Sequence, residues 1–170
     1  LFSSIWMPFN VKKKHVLTAA GEKEQYLYFV LEGLQRVFYL DDENREATLV
    51  FTYPPSFGGV IDALMLRQNS RYYFEAITNS SFLRANATDL YKVIDSNPQI
   101  AKVIQTGLSS VASGLLERLV ELQCYSSEAK FKKLLTRSPH ILQIVPQKYL
   151  ANYLGIDPTN FSKLINKVKI

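Results

Sequence analysis

The sequence predicts an α+β protein in three parts: a β-barrel or jelly roll over residues 1–97, a long helix over 98–124, and a pair of helices crossing at a sharp turn within 125–170. Three patterns carry this prediction. Short β-rich runs at close spacing fill the first half of the chain, the pattern of a barrel or jelly roll rather than of a parallel sheet. A proline-free stretch with an apolar seam follows. Near the C-terminus, nine positions constrained by the geometry of two crossing helices are met within eighteen residues.

β-Structure is expected over residues 12–85. Tyr26-Leu27-Tyr28-Phe29-Val30-Leu31 is a dense aromatic and β-branched run that ends at Glu32-Gly33. Arg36-Val37-Phe38-Tyr39-Leu40 and Ala47-Thr48-Leu49-Val50-Phe51 flank a polar turn at 41–45, which makes a hairpin. Pro54-Pro55 interrupts the pairing, Gly58-Gly59 marks a tight backbone passage, and a short helix is expected over 60–66. Residues 72–77 and 82–84 read as closing strands. The apolar stretch 1–9 is assigned no strand. Lys12, Lys13 and Lys14 follow it rather than precede it, the reverse of a secretory signal.

After Thr88 the period becomes helical. Residues 88–94 form a short helix that stops near Asn97-Pro98. Within 99–123, Ile104, Leu108, Val111, Leu115 and Leu122 recur at spacings of four, three, four and seven. Arg118 takes the one heptad position that is not apolar, with Leu119 beside it. Such a seam packs on its own β-domain or on a second copy of itself, so these five apolar residues are the candidate dimer interface. Gly107 and Gly114, seven apart on one side, leave room for a partner backbone.

The segment from Gln147 to Leu164 is the most constrained in the chain. Leu150, Leu154, Ile156, Phe161 and Leu164 fall where each helix must bury an apolar face. Ala151 marks the closest approach, Gly155 the turn, Asp157 a good N-cap, and Pro158 the first position of the second helix. If residues 158–168 are a recognition helix, its N-terminal end meets base edges. Thr159, Asn160 and Lys163 then face the major groove, with Asn160 suited to adenine and Lys163 to guanine or a phosphate. Ser162 and Lys167 are placed for the DNA backbone.

Charge supports a polyanionic partner. From residue 125 onward there are eight basic side chains against two acids, whereas the first 124 residues carry 12 basic and 13 acidic ones. A basic excess confined to one segment suits duplex DNA, because neutralised phosphates release counterions. No apolar run approaches the roughly 20 residues of a membrane-spanning helix. A single cysteine, Cys124, leaves no intramolecular disulfide and no multi-cysteine metal cage within one chain, and a reducing cytoplasm is its natural compartment.

Taken in order, these features resemble the CRP/FNR (catabolite activator) family over nearly the whole chain. The run from Leu27 to Gly33 resembles that family's barrel strand and glycine turn. Phe57-Gly58 and Glu75-Ala76 resemble the edges of its phosphate-binding cassette, 99–123 its dimer helix, and 145–167 its DNA-binding helices. The resemblance implies a barrel of the cyclic-nucleotide-binding type, a homodimer, and a C-terminal helix-turn-helix reading a pseudo-palindromic site. RNA polymerase and a small-molecule effector are the further partners it suggests. The candidate ligand residues are Gly58, Gly59, Val60, Ile61 and Arg71. Two departures disfavour a cyclic nucleotide. Gly59 stands where the cyclic-nucleotide-binding members carry a glutamate for the ribose, and Ser70-Arg71-Tyr72 shifts the phosphate-pairing arginine by one residue. In a strand, such a shift turns a side chain to the other face. No cofactor is therefore assigned, and His15 and His140 read as structural histidines.

Function is thus expected to be sequence-specific transcription regulation. The alternative is a sensing module that regulates a protein partner without specific DNA binding. An enzyme is not expected: the sequence shows no nucleophile–base motif, metal-ligand spacing or phosphate-binding loop.

Overall fold

The computed structural model describes residues 2–167, and the chain divides between Lys102 and Val103 into two compact units. The first unit is a jelly roll of two four-stranded antiparallel sheets. One is ordered β1 (Trp6–Val11), β8 (Ser80–Asn86), β3 (Tyr26–Glu32), β6 (Ser56–Gly58). The other is ordered β2 (Val16–Thr18), β7 (Tyr73–Ala76), β4 (Gln35–Leu40), β5 (Glu46–Thr52). The expected hairpin is β4–β5, with Leu40 opposite Glu46. A short helix, α1 (Ile61–Leu66), joins β6 to β7, and α2 (Ala87–Ser96) follows β8.

Strand alternation explains how β3 serves two cores. Tyr28 and Val30 point inward with Val37, Val60, Phe74 and Phe82, and they fill the space between the sheets. Leu27 points outward, where Leu64 of α1 and Leu90 of α2 bury it. Gly33 closes β3 with φ +92°, and a Cβ there would collide with the Ser80 hydroxyl and the Asn79 carbonyl.

The first strand corrects the sequence reading. β1 begins at Trp6, not residue 12, and pairs with β8 along its whole length. Pro8 is tolerated within it because β1 is an edge strand of its sheet.

Helix α3 (Pro98–Cys124) carries the expected seam. Among the described residues, none of the helices is long and apolar enough to cross a membrane. Val111, Leu115, Leu116, Leu119, Val120 and Leu122 are exposed on it, Ile104 and Leu108 half-buried, and nothing lies near Gly107 or Gly114. The second unit continues with α4 (Ser127–Arg137), α5 (Ile141–Ile144), α6 (Gln147–Leu154) and α7 (Pro158–Lys167). Its core joins Phe131, Leu134, Ile141, Val145, Leu150, Leu154, Ile156 and Phe161. The Phe131 and Phe161 rings meet edge-on at 5.4 Å. Leu164 is only half-buried, and the expected helix end at Val168 lies outside the described residues.

Candidate functional site

Helices α6 and α7 are shaped by the residues between them. Ala151 is buried at their junction, and the Ile156 amide donates back to its carbonyl at 2.9 Å. That closure needs a left-handed residue at the end of α6, and Gly155 supplies it at φ 61°. Asp157 then caps α7: its Oδ1 accepts from the amides of Thr159 at 3.0 Å and Asn160 at 3.2 Å. With Phe161 buried inward, Thr159, Asn160, Ser162 and Lys163 are all exposed on the outer side of α7.

The remaining basic residues are less uniform than their count suggested. Lys167 is exposed, but its Nζ lies 3.3 Å from Glu128, which also takes Lys132 at 2.8 Å. Those two ammonium groups hold the Glu128 carboxyl below its usual range. Lys130 is buried and donates to the Leu154 carbonyl at 3.4 Å. Arg137 pairs with Glu121 at 2.9 Å. Arg118 and Glu121 were not recognised in the sequence, where Arg118 read only as a break in the seam. Both are buried, paired at 3.2 Å, and the Arg118 guanidinium donates to the Tyr153 carbonyl while stacking 4.1 Å over the Tyr153 ring. Leu122, placed in the seam from its spacing, has Cδ2 3.6 Å from where a Cβ on Gly155 would stand.

In the jelly roll, the residues expected to hold a ligand differ in burial. Gly58, Gly59 and Val60 are buried and Ile61 opens α1, but Arg71 is exposed. Ser70 is held locally, its hydroxyl accepting from the Tyr72 amide at 2.9 Å and donating to the Tyr72 carbonyl at 2.6 Å. The sequence reading missed Glu24. Its Oε2 accepts the Val60 amide at 2.9 Å and the Thr18 hydroxyl at 2.8 Å, and Oε1 accepts the Tyr26 amide at 3.3 Å. A Cβ on Gly59 would lie 3.4 Å from Oε2. Burial raises the Glu24 pKa, and these hydrogen bonds oppose the rise. Burial and the nearby Glu24 charge also push the Tyr28 hydroxyl up. A cavity of about 380 Å³ adjoins Glu24, which lines it together with Lys23, Arg67, Gln68, Asn86 and Tyr91.

The first unit is thus a double-sheet jelly roll with a short helix between β6 and β7, and a long helix follows it in the chain. Residues 8–97 match the family described as "Cyclic nucleotide-binding domain", and the chain belongs to that family. No curated protein matches it. Among solved structures, FixK2 from Bradyrhizobium japonicum is similar at TM-score 0.86 and 17% identity, covering 96% of this chain and 84% of that one. The c-di-GMP-responsive global regulator CLP of Xanthomonas campestris gives 0.72 and 16%, covering 98% and 87%. The catabolite activator protein of Thermus thermophilus gives 0.59 and 20%, covering 96% and 78%. At these identities the likeness establishes the shared fold.

Proposed function

We propose that this chain is a sequence-specific DNA-binding transcription regulator of the CRP/FNR type, acting as a homodimer through α3. The observation that carries the reading is α7: a capped helix whose inner side is buried and whose first turns present Thr159, Asn160, Ser162 and Lys163 outward. A helix entering the major groove by its N-terminal end needs those polar groups there. The fold shared with the global regulator CLP and a catabolite activator protein supports the same conclusion. Thr159, Asn160 and Lys163 are the base-reading candidates. Ser162 and Lys167 are the backbone candidates, Lys167 exchanging Glu128 for a phosphate.

The residues around α1 do not fit a cyclic nucleotide. The Val60 amide already serves Glu24, that carboxylate places negative charge beside Gly59, and Arg71 is exposed. The regulator therefore acts without the cyclic-nucleotide switch of its family.

A gel-shift experiment with duplexes selected from a random pool tests the DNA reading. Lys163→Ala is expected to weaken binding to the preferred duplex by about 1–3 kcal/mol, and Asn160→Ala to relax discrimination at one base pair. If both variants bind that duplex like wild type, α7 is not the reading helix.

A further inference from the structure

Arg118, Glu121 and Arg137 form an ion-pair group that makes none of the DNA contacts proposed above. Arg118 and Glu121 are buried while Arg137 is exposed, and burying the first two gains little stability, because the desolvation of both charges offsets most of their attraction. An apolar residue at 118 would instead continue the seam, since Leu115 and Leu122 lie three residues before and four after it on the same stripe of α3.

What the arginine achieves is geometric. Tyr153 and Leu154 end α6, so their carbonyls are among those that no helical N–H can satisfy, at the negative end of the helix dipole. Arg118 from α3 binds the first carbonyl and Lys130 from α4 binds the second. Glu121 holds Arg118 on one side and Arg137, the last residue of α4, on the other, at 3.2 Å and 2.9 Å. Helices α3, α4 and α6 are thus fastened together immediately before the Gly155 turn from which α7 starts. Guanidinium suits this role: its planar fork reaches a carboxylate and a carbonyl at once while stacking on the Tyr153 ring.

We propose that Arg118 is a positioning residue that fixes the direction of α7 relative to the α3 seam. In a dimer built on that seam it sets the separation of the two reading helices, and hence the half-site spacing the protein accepts. This rests on the DNA-binding dimer proposed above.

The test uses fluorescence anisotropy with a duplex selected from a random pool by the wild-type chain, its isolated half-site, and versions with two base pairs inserted or removed between half-sites. Arg118→Met is expected to bind the half-site within twofold of wild type. It should lose tenfold or more of the preference for the selected spacing, with Arg118→Lys in between. A purely stabilising role would lower half-site and full-site binding together, in proportion to the folded fraction. Folded Arg118→Met with wild-type spacing discrimination overturns the proposal alone. Wild-type protein that selects no duplex overturns the DNA-binding reading and this proposal with it. If Arg118→Met does not fold, Glu121→Gln is judged by the same two criteria, because it frees the guanidinium from its carboxylate anchor while leaving the Tyr153 contact available.

Discussion

Glu24 shows how much one side chain decides in this fold. Its carboxylate gathers the Val60 and Tyr26 amides and the Thr18 hydroxyl, three donors from separate places in the chain. All three point at it, so no neutral isostere can replace it fully: an amide at position 24 turns an NH₂ toward at least one N–H or O–H. The cost of that arrangement is burial, which raises the carboxyl pKa above its ordinary 4.5. The sign of the pH dependence follows. A carboxyl with a raised folded pKa contributes its full share of stability below the unfolded pKa and loses it as pH climbs through the folded one. Melting temperatures of wild type and Glu24→Gln, measured from pH 4 upward, are therefore expected to diverge in one direction. Wild type should lose stability relative to the variant as pH rises from about 4.5, because the glutamine does not titrate. A difference that runs the other way, wild type gaining with pH, would mean that the three hydrogen bonds outweigh desolvation.

At the scale of elements, α3 has the plainest unmet demand. Its exposed leucines and valines form a stripe several turns long, and exposed apolar patches of that kind mark association sites. Gly107 and Gly114 add open space on the same helix. Replacing Leu108, Val111 and Leu115 together with polar residues is expected to give monomers at micromolar concentration in analytical ultracentrifugation. Wild-type protein that is already monomeric there would defeat the dimer. This helix also shows what the sequence made legible and what it hid. Periodicity placed α3 to within a residue at each end, and turn chemistry placed Gly155, Asp157 and Pro158 correctly, because these signals are local. Arg118 was unreadable because its role depends on Tyr153, far along the chain, and Lys130 entered the charge count although it is buried. Glu24 was missed because the contact that ties it to the start of α1, from the Val60 amide, comes from far along the chain. β1 was missed differently: the apolar run over 1–9 is weighed only as a signal segment, and its partner β8 lies some seventy residues along the chain.

For the molecule as a whole, the question is what the jelly roll does if its family's ligand does not fit. A cyclic phosphate leaving water needs a cation or several oriented donors, since a buried charge without them is very costly. Here the only arginine of the 70–72 segment is exposed and the amide opening α1 is already bonded to a carboxylate. The interior between the sheets is packed with Tyr28, Phe74 and Phe82, whose rings meet at 5.5 Å and 5.3 Å. Each lost charge-assisted contact costs roughly 1.5–3 kcal/mol, and losing both the phosphate and the ribose partners takes a micromolar ligand toward millimolar affinity. Isothermal titration calorimetry with cyclic AMP and cyclic GMP is therefore expected to show no saturable binding at micromolar concentrations. Glu24→Gln separates the two causes: if the carboxylate alone repels the phosphate, the variant gains affinity for cyclic AMP, whereas if the missing arginine and ribose acceptor dominate, it does not. The displaced arginine and the absent side chain at Gly59 make the second outcome the expected one. Micromolar binding to the wild-type chain that disappears in Arg71→Ala would restore the cyclic-nucleotide switch and overturn this account of the barrel.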